Sequence, residues 1–329
     1  VVCVNEEEKK ISLDIIDTSG GCSLPSGNIS PRVPEMKKGM KDNIERKQPS
    51  INSVQLHNNI PLFSFVELNI NEICNRKCPF CPRVDPKTYP NQNIHIDVSL
   101  AENIASQLAD LDFKGIVNIS GTGEPTLTKH ITDIVKQFGD RGIHVEIVTN
   151  GDMLVRKKGK QLIQDLYSSG LCQFVVSMYD GPEQVESFHN LFADCGIDKS
   201  LYSLRDRWYD ESEDYGLFYT NRAGNIGFEH LSDIAKEKLM KSGKSACFYT
   251  HYSIMIDWNG DVLLCCQDMY NRTVKFGNVK DKSLFDIWTD TKLMEYRNKL
   301  KNGDRSMSPC SNCNANGQVF GKNHAETWK

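Results

Sequence analysis

Residues 73–83 read ICNRKCPFCPR. Three cysteines, Cys74, Cys78 and Cys81, fall within eight residues, and an aromatic residue, Phe80, directly precedes the last. The spacing is C-x3-C-x2-C. Zinc sites take four ligands, often as two C-x2-C pairs. Three thiolates without a nearby fourth suit a [4Fe–4S] cluster with one open iron, given the sulfur preference of such centres. That iron would be free to hold a substrate or a cofactor. The bland alternative is a set of buried or zinc-bound cysteines with no catalytic part.

Working outward, FSFVELNI (63–70) precedes the thiols and alternates as a strand, with Phe65, Glu67 and Asn69 on one face and Val66, Leu68 and Ile70 on the other. DVSLAENIASQLADL (97–111) follows, with Leu100, Ile104, Leu108 and Leu111 at helical spacing and Asp97 placed to cap them. Strands are expected at GIVNIS (115–120), IHVEIVTN (143–150) and LCQFVVSMY (171–179), with helices near 127–139, in GKQLIQDLYSSG and in VESFHNLFADC. LYSLRDRW (201–208) and LFYT (217–220) are shorter strand candidates. Strands alternating with helices mean parallel βα units, as an α/β barrel or a doubly wound sheet. Six repeats do not by themselves separate a closed barrel from a partial one.

The pattern changes after about 225. YSIMIDWNGDVLLCCQD reads as a hairpin turning at Asn259–Gly260, and SLFDIWTDTKLMEYRNKLKNG reads as helix. Expected units are an irregular N-terminal extension over 1–60, a barrel over 61–225, a small cysteine-built domain over 226–315 and a loose C-terminal tail over 316–329. Within the extension, MKKGMKDNIERKQPS is basic and weakly helical, placed either to cover the core or to contact a substrate.

The 329 residues, 39% apolar, are enough for one large core or two smaller ones. A net charge of -4 gives no reason to expect nucleic acid or an anionic membrane as partner. No run of about 18 apolar residues exists to span a membrane, and VVCVNEEEKK lacks an apolar signal core. Twelve cysteines in clusters favour metal ligation in a reducing compartment, the cytoplasm, over a secreted disulfide framework. Cys172 and Cys195 lie in core-like segments and read as small buried hydrophobes.

CNRKCPFC after a βα-type strand resembles the radical S-adenosylmethionine (SAM) superfamily. The resemblance implies that Cys74, Cys78 and Cys81 hold a cluster whose fourth iron chelates the methionine amine and carboxylate. A 5′-deoxyadenosyl radical then abstracts hydrogen from an unactivated carbon. Phe80 matches the family's aromatic packed near the adenine. SGTGEPTL (120–127) resembles the glycine–glycine–glutamate stretch whose backbone binds the SAM amino group, aligning Gly123 and Glu124, with Thr122 where many members have glycine. Asn150 and Ser177, at strand ends, would meet the SAM ribose and carboxylate. Arg222, in NRAGN, is a second candidate for that carboxylate. Glu67, Asn69, Arg205, Asp206 and Arg207 are candidates to line the same opening, or ordinary salt-bridge partners. The implied fold is α/β, a partial (β/α)6 barrel with a small C-terminal α+β cluster-binding domain.

Cys247, Cys265, Cys310 and Cys313 form a second set, C-x17-C and then C-x2-C. Spacing alone does not separate zinc from iron–sulfur. WNGDVLLCCQD, FGNV, SLFDIW and PCSNC resemble, in order, the SPASM or twitch extension of radical SAM enzymes. The resemblance implies one auxiliary [4Fe–4S] cluster, hence two in all, and an external one-electron reductant such as flavodoxin or ferredoxin. With four ligands the auxiliary cluster has no open iron, so it would conduct electrons or support the fold. Cys266, the surplus thiol of the CC pair, is the candidate catalytic hydrogen donor. The favoured reaction is epimerisation of a small polar natural product or amino-sugar, with Cys266 quenching the substrate radical. The alternatives are two-electron dehydrogenation of a cyclitol or sugar alcohol, modification of a peptide, and a non-enzymatic electron-relay or maturation role.

Overall fold

The computed structural model describes residues 38–209, 215–241 and 245–328. Cys3, Cys22 and the first part of the expected extension lie outside these residues. The first described element is helix α1 (Lys38–Asn52), followed by a small antiparallel pair, β1 (Leu56–His57) and β2 (Ile60–Pro61). Four strand–helix units and a fifth strand come next. The strands are β3 (Phe65–Leu68), β4 (Ile116–Ile119), β5 (His144–Thr149), β6 (Gln173–Met178) and β7 (Tyr202–Asp206). Between them run α2 (Val98–Asp110), α3 (Ile131–Gly139), α4 (Gly159–Ser168) and α5 (Glu183–Asp194). Neighbouring strands are parallel throughout β3–β7.

Burial explains why these segments fold as they do. Every residue of β4 is buried, as in sheets covered on both faces. The helices present apolar stripes at 3.6-residue spacing: Leu100, Ile104 and Leu108 on α2, and Ile131, Ile134, Val135 and Phe138 on α3. Each such fully buried side chain contributes about 1.5–3 kcal/mol. Asp97 does stand at the N-cap of α2, but its side chain makes no capping hydrogen bond.

The remaining strands are β8 (Ser253–Ile256), β9 (Asp261–Leu263) and β10 (Lys275–Asn278), and the whole eight-stranded sheet has the order β10-β9-β8-β3-β4-β5-β6-β7. The sixth parallel strand is therefore β8, which joins the β3 edge from the C-terminal part of the chain. LFYT (217–220), the other short strand candidate, is not a strand. The α/β core is a partial (β/α)6 barrel, and the cysteine-rich segment continues its sheet through the β8–β9 hairpin. Gly260 turns that hairpin at φ 93°, a backbone conformation that excludes most side chains.

Three further differences from the sequence expectation matter. The stretch 283–303 is two helices, α8 (Leu284–Trp288) and α9 (Thr291–Lys301), because Asp290 caps the second by accepting from the Lys292 amide. The tail is packed: α10 (Lys322–Thr327) buries His324 and Ala325, and the His324 ring meets Ser64 Oγ at 2.8 Å. Arg297, 1% exposed, lies between Trp288 and Trp328 and donates to the Thr250 and Trp288 carbonyls. Finally, the basic stretch is the 15-residue helix α1. It begins so close to β7 that a Cβ on Gly39 would meet the Asp206 amide nitrogen at 2.7 Å, and by Lys47 it has reached the ring of Phe65 on β3. Arg46 ion-pairs with Glu146 in the interior. Burial pushes Glu146 up, but Arg46 and His144 beside it hold it below the usual carboxylate range.

Among the described residues, no helix is long and apolar enough to cross a membrane.

Candidate active site

One cavity spans the interior of the sheet and the carboxyl ends of β3–β7, where parallel barrels bind their ligands. A second depression, near Ser64, Gly115 and His144 at the opposite strand ends, carries no cysteine. The first loop brings Cys74, Cys78 and Cys81 to the main cavity. Asn91 fixes this loop by accepting from the Cys74 amide at 3.0 Å and donating to its carbonyl at 2.8 Å. Arg83 anchors the loop's end on Glu72, Asn91 and the Thr122 carbonyl. Burial, then the neighbouring Cys81 and Cys74, pushes Cys78 up to about 12. Burial likewise raises Cys74. Cys81 Sγ also lies 3.3 Å from the Tyr270 hydroxyl.

The GTGEP loop reaches the same cavity. Glu124 is 3% exposed and fully engaged by the protein. It accepts from the Thr126 amide at 3.0 Å, the Thr126 and Thr149 hydroxyls at 2.6 Å, and the Asn150 amide at 2.7 Å. Its side chain thus ties the loop to the end of β5. A Cβ on Gly123 would stand 1.6 Å from Asn71 Oδ1 and 2.7 Å from the Ile73 carbonyl, so only glycine lets these loops close together. Thr122 turns its hydroxyl inward to Asn69 and the Asn71 carbonyl, which explains how threonine fits where glycine was expected. Asn150 bonds Asn75 at 2.8 Å, and Phe80 packs with Tyr179 and Tyr215.

Ser177 Oγ accepts from a guanidinium at 3.3 Å, and that guanidinium belongs to Arg205. Arg222 lines the same cavity elsewhere, near Tyr270, Cys266, Cys81 and Tyr249. The structure therefore brings Arg205, rather than Arg222, beside Ser177.

The second set, Cys247, Cys265, Cys310 and Cys313, lines a separate small cavity floored by Ala223, Pro309 and Ala315. Burial, then Cys247 and Cys313, pushes Cys310 up to about 12. Arg305 ties its walls together by donating to the Ser245 and Ala315 carbonyls. Gly317, in the expected tail, closes the nest: a Cβ there would meet Cys247 Sγ at 2.3 Å. Among the described residues, no three His, Cys, Asp or Glu side chains gather tightly enough to hold a single metal ion. The four thiols surround a space instead, a donor set suited to a cluster.

The CC pair divides between the two cavities. Cys265 faces the nest, whereas Cys266 faces the main cavity, hydrogen-bonded to Glu67. Burial raises Glu67 above the usual carboxylate range, and burial followed by Glu67 raises the Cys266 thiol. Cys195 is buried as a free thiol, as expected, whereas Cys172, also buried, is disulfide-bonded rather than a plain small hydrophobe. Lys47, Tyr270 and Gly317 carried no motif; they reach these sites only through the fold.

Residues 68–206 match the radical SAM superfamily, and residues 247–314 match SPASM, an iron–sulfur cluster-binding domain. The chain belongs to the radical SAM enzymes that carry a C-terminal SPASM domain, and it binds SAM and iron–sulfur clusters. Among its relatives is the S-adenosyl-L-methionine-dependent 2-deoxy-scyllo-inosamine dehydrogenase of Niallia circulans, 28% identical over 258 residues, 77% of this chain and 93% of that one. The tungsten-containing aldehyde ferredoxin oxidoreductase cofactor-modifying protein of Pyrococcus furiosus is 22% identical, covering 72% of this chain and 84% of its own. The crystal structure of BtrN in complex with AdoMet and 2-DOIA matches with a TM-score of 0.62 at 26% identity, covering 80% of this chain and 98% of that one.

Proposed function

We propose that the enzyme oxidises an alcohol carbon of a small cyclitol or sugar by two electrons. The observation that carries this is Glu67, a half-buried carboxylate of raised proton affinity that faces the main cavity and hydrogen-bonds Cys266. The similarity to a dehydrogenase supports the same reading. In it, Cys74, Cys78 and Cys81 hold the SAM-binding [4Fe–4S] cluster, and Cys247, Cys265, Cys310 and Cys313 hold one auxiliary [4Fe–4S] cluster. When bound, these groups supply a 5′-deoxyadenosyl radical that removes a carbon-bound hydrogen, and an acceptor for the second electron.

The chain's own residues do the rest. The backbone at Gly123 receives the SAM amino group, Arg205 with Ser177 receives its carboxylate, and Phe80 lies along its adenine. Asn150 meets the ribose. Glu67 Oε takes the hydroxyl proton as the carbinol becomes a carbonyl; its raised pKa suits a general base. Arg222, between Cys81 and Cys266, offsets the negative charge of ligated thiolates. The matched segments lie within a barrel unit over 61–225 and a cluster unit over 226–315.

One observation favours a second reading, epimerisation. The Cys266 thiol stands in the main cavity, where it is placed to return a hydrogen atom to the opposite face of the substrate carbon. Turnover of candidate cyclitols and sugars in deuterated water separates the two. A product lighter by two hydrogens establishes oxidation. A product with one deuterium and inverted configuration, lost in Cys266→Ala, overturns it in favour of epimerisation.

A further inference from the structure

The cavity that holds Glu67 is not charge-balanced. Its charged lining is Lys47, Arg76, Arg205, Arg207 and Arg222 against Glu67 and Glu124. Most of these have a use. Arg76 is tied to Asp152 and Asp180 at the rim. Arg207 donates to the Gly216 carbonyl. Glu124 is consumed by the GTGEP loop. Arg205 and Arg222 have the SAM carboxylate and the thiolates as neighbours in the reading above.

Lys47 is left over. It comes from α1, which precedes both family-matched segments. Its ammonium has no hydrogen bond and no ion pair with any described residue. Its compensation is the face of Phe65, with Nζ 4.3 Å from the ring centroid. A cation–π contact offsets only part of the loss of water around an ammonium. Arg46, one residue earlier, shows the contrast, because it is neutralised by Glu146. Glu67 affects Lys47 electrostatically, yet lies beyond ion-pair distance, and its hydrogen bond goes to Cys266. Burial, then Arg46, brings Lys47 down to about 8, so it stays largely cationic at neutral pH.

We propose that Lys47 binds an anionic group of the substrate, a carboxylate or a phosphate, and so fixes which carbon faces the radical. The overall charge of -4 gives no hint of this, because the cationic excess is local. The inference rests on this cavity being the substrate site, and it holds whether the carbon is oxidised or inverted.

The test is calorimetric binding to cluster-reconstituted, SAM-loaded enzyme at low ionic strength. Four probes share one skeleton: glucose, glucosamine, glucuronate and glucose 6-phosphate. Glucuronate or glucose 6-phosphate is expected to bind about tenfold or more tighter than glucose and glucosamine, and which of the two wins tells carboxylate from phosphate. Lys47→Gln should erase the preference, and Lys47→Arg should restore most of it, which excludes a simple folding defect. Tighter binding of glucosamine, equal affinities, no binding of either anion below about 10 mM, or a preference that survives Lys47→Gln overturns the proposal. SAM binding by the same preparations reports separately on the cofactor site, so its loss marks a failure of the functional reading instead.

Discussion

The two cysteine sets solve opposite problems. Cys74, Cys78 and Cys81 sit on a loop at a large cavity, all partly exposed. Cys247, Cys265, Cys310 and Cys313 enclose a small one, with Cys310 and Cys313 each 8% exposed. The first set has three thiols and opens onto space for small molecules. The second has four thiols and is walled by Arg305, Ala315 and Gly317. Chemistry needs a vacant coordination position, whereas electron transfer needs none. Cys265 and Cys266 are adjacent in the chain and face different cavities, so the two sites share a wall one residue thick.

The sharpest way to break this contrast is to remove one thiol from each set. Cys78→Ser should reduce 5′-deoxyadenosine formation to background and lower the iron content from about eight to about four per chain. Cleavage near the unaltered rate would end the assignment of the open set. Cys313→Ser should also halve the iron but leave reductive SAM cleavage within about tenfold of the parent, while product formation is lost. A variant of the second set that still completes turnover would remove the electron-acceptor role. Gly317→Ala, which forces a methyl group onto Cys247, should lose the same iron more gradually during dilution with a chelator.

Much of this contrast was legible in the sequence. The strands of β3–β6 and the stripes of α2 and α3 repeat their apolar residues with the right period. The thiol spacings carried the two sets. Other parts were hidden for physical reasons. LFYT has strand-like residues but stays outside the sheet, whose sixth parallel strand is β8, paired with β3. The segment NANGQVFGKNHAETWK reads as polar tail, yet Gly317 and His324 are buried by contacts nearly 70 and 260 residues away in sequence. α1 has only a few apolar residues, and its polar ones turn inward to Glu146 and the cavity. Arg205 was visible as a charge, but only folding puts it on Ser177.

The packed tail yields a prediction in pH. His324 and His251 are essentially unexposed, and burial lowers them to about 4 and about 3. The unfolded chain binds protons near 6.5, before the folded one does. Stability is therefore full above 6.5 and falls as the pH drops toward 4, by about 1.4 kcal/mol per pH unit for each histidine. Melting curves between pH 7.5 and 5 should show this steep loss. His324→Asn, which keeps a polar partner for Ser64 but does not titrate, should reduce the slope by about half. An unchanged slope would place the acid sensitivity elsewhere.

The smallest expected effect tests how closely the two regions are joined. Tyr270 belongs to the segment that follows the CC pair, yet its hydroxyl lies 3.3 Å from Cys81 of the first set. Tyr89 packs edge-on against its ring, and Arg272 holds the Tyr89 hydroxyl at 2.9 Å, so the phenol is firmly placed. A donor to a ligating sulfur favours the more negatively charged, reduced form of a cluster. Tyr270→Phe should therefore lower the midpoint potential of the SAM-binding cluster by roughly 20–60 mV, the value of one neutral hydrogen bond in a one-electron couple. An EPR-monitored redox titration reads this directly, with the auxiliary cluster of the same sample as internal reference. If both midpoints stay put, the contact is only packing, and the second region supports the first without tuning it. If only the first midpoint moves, the auxiliary segment sets the potential at which the radical is made.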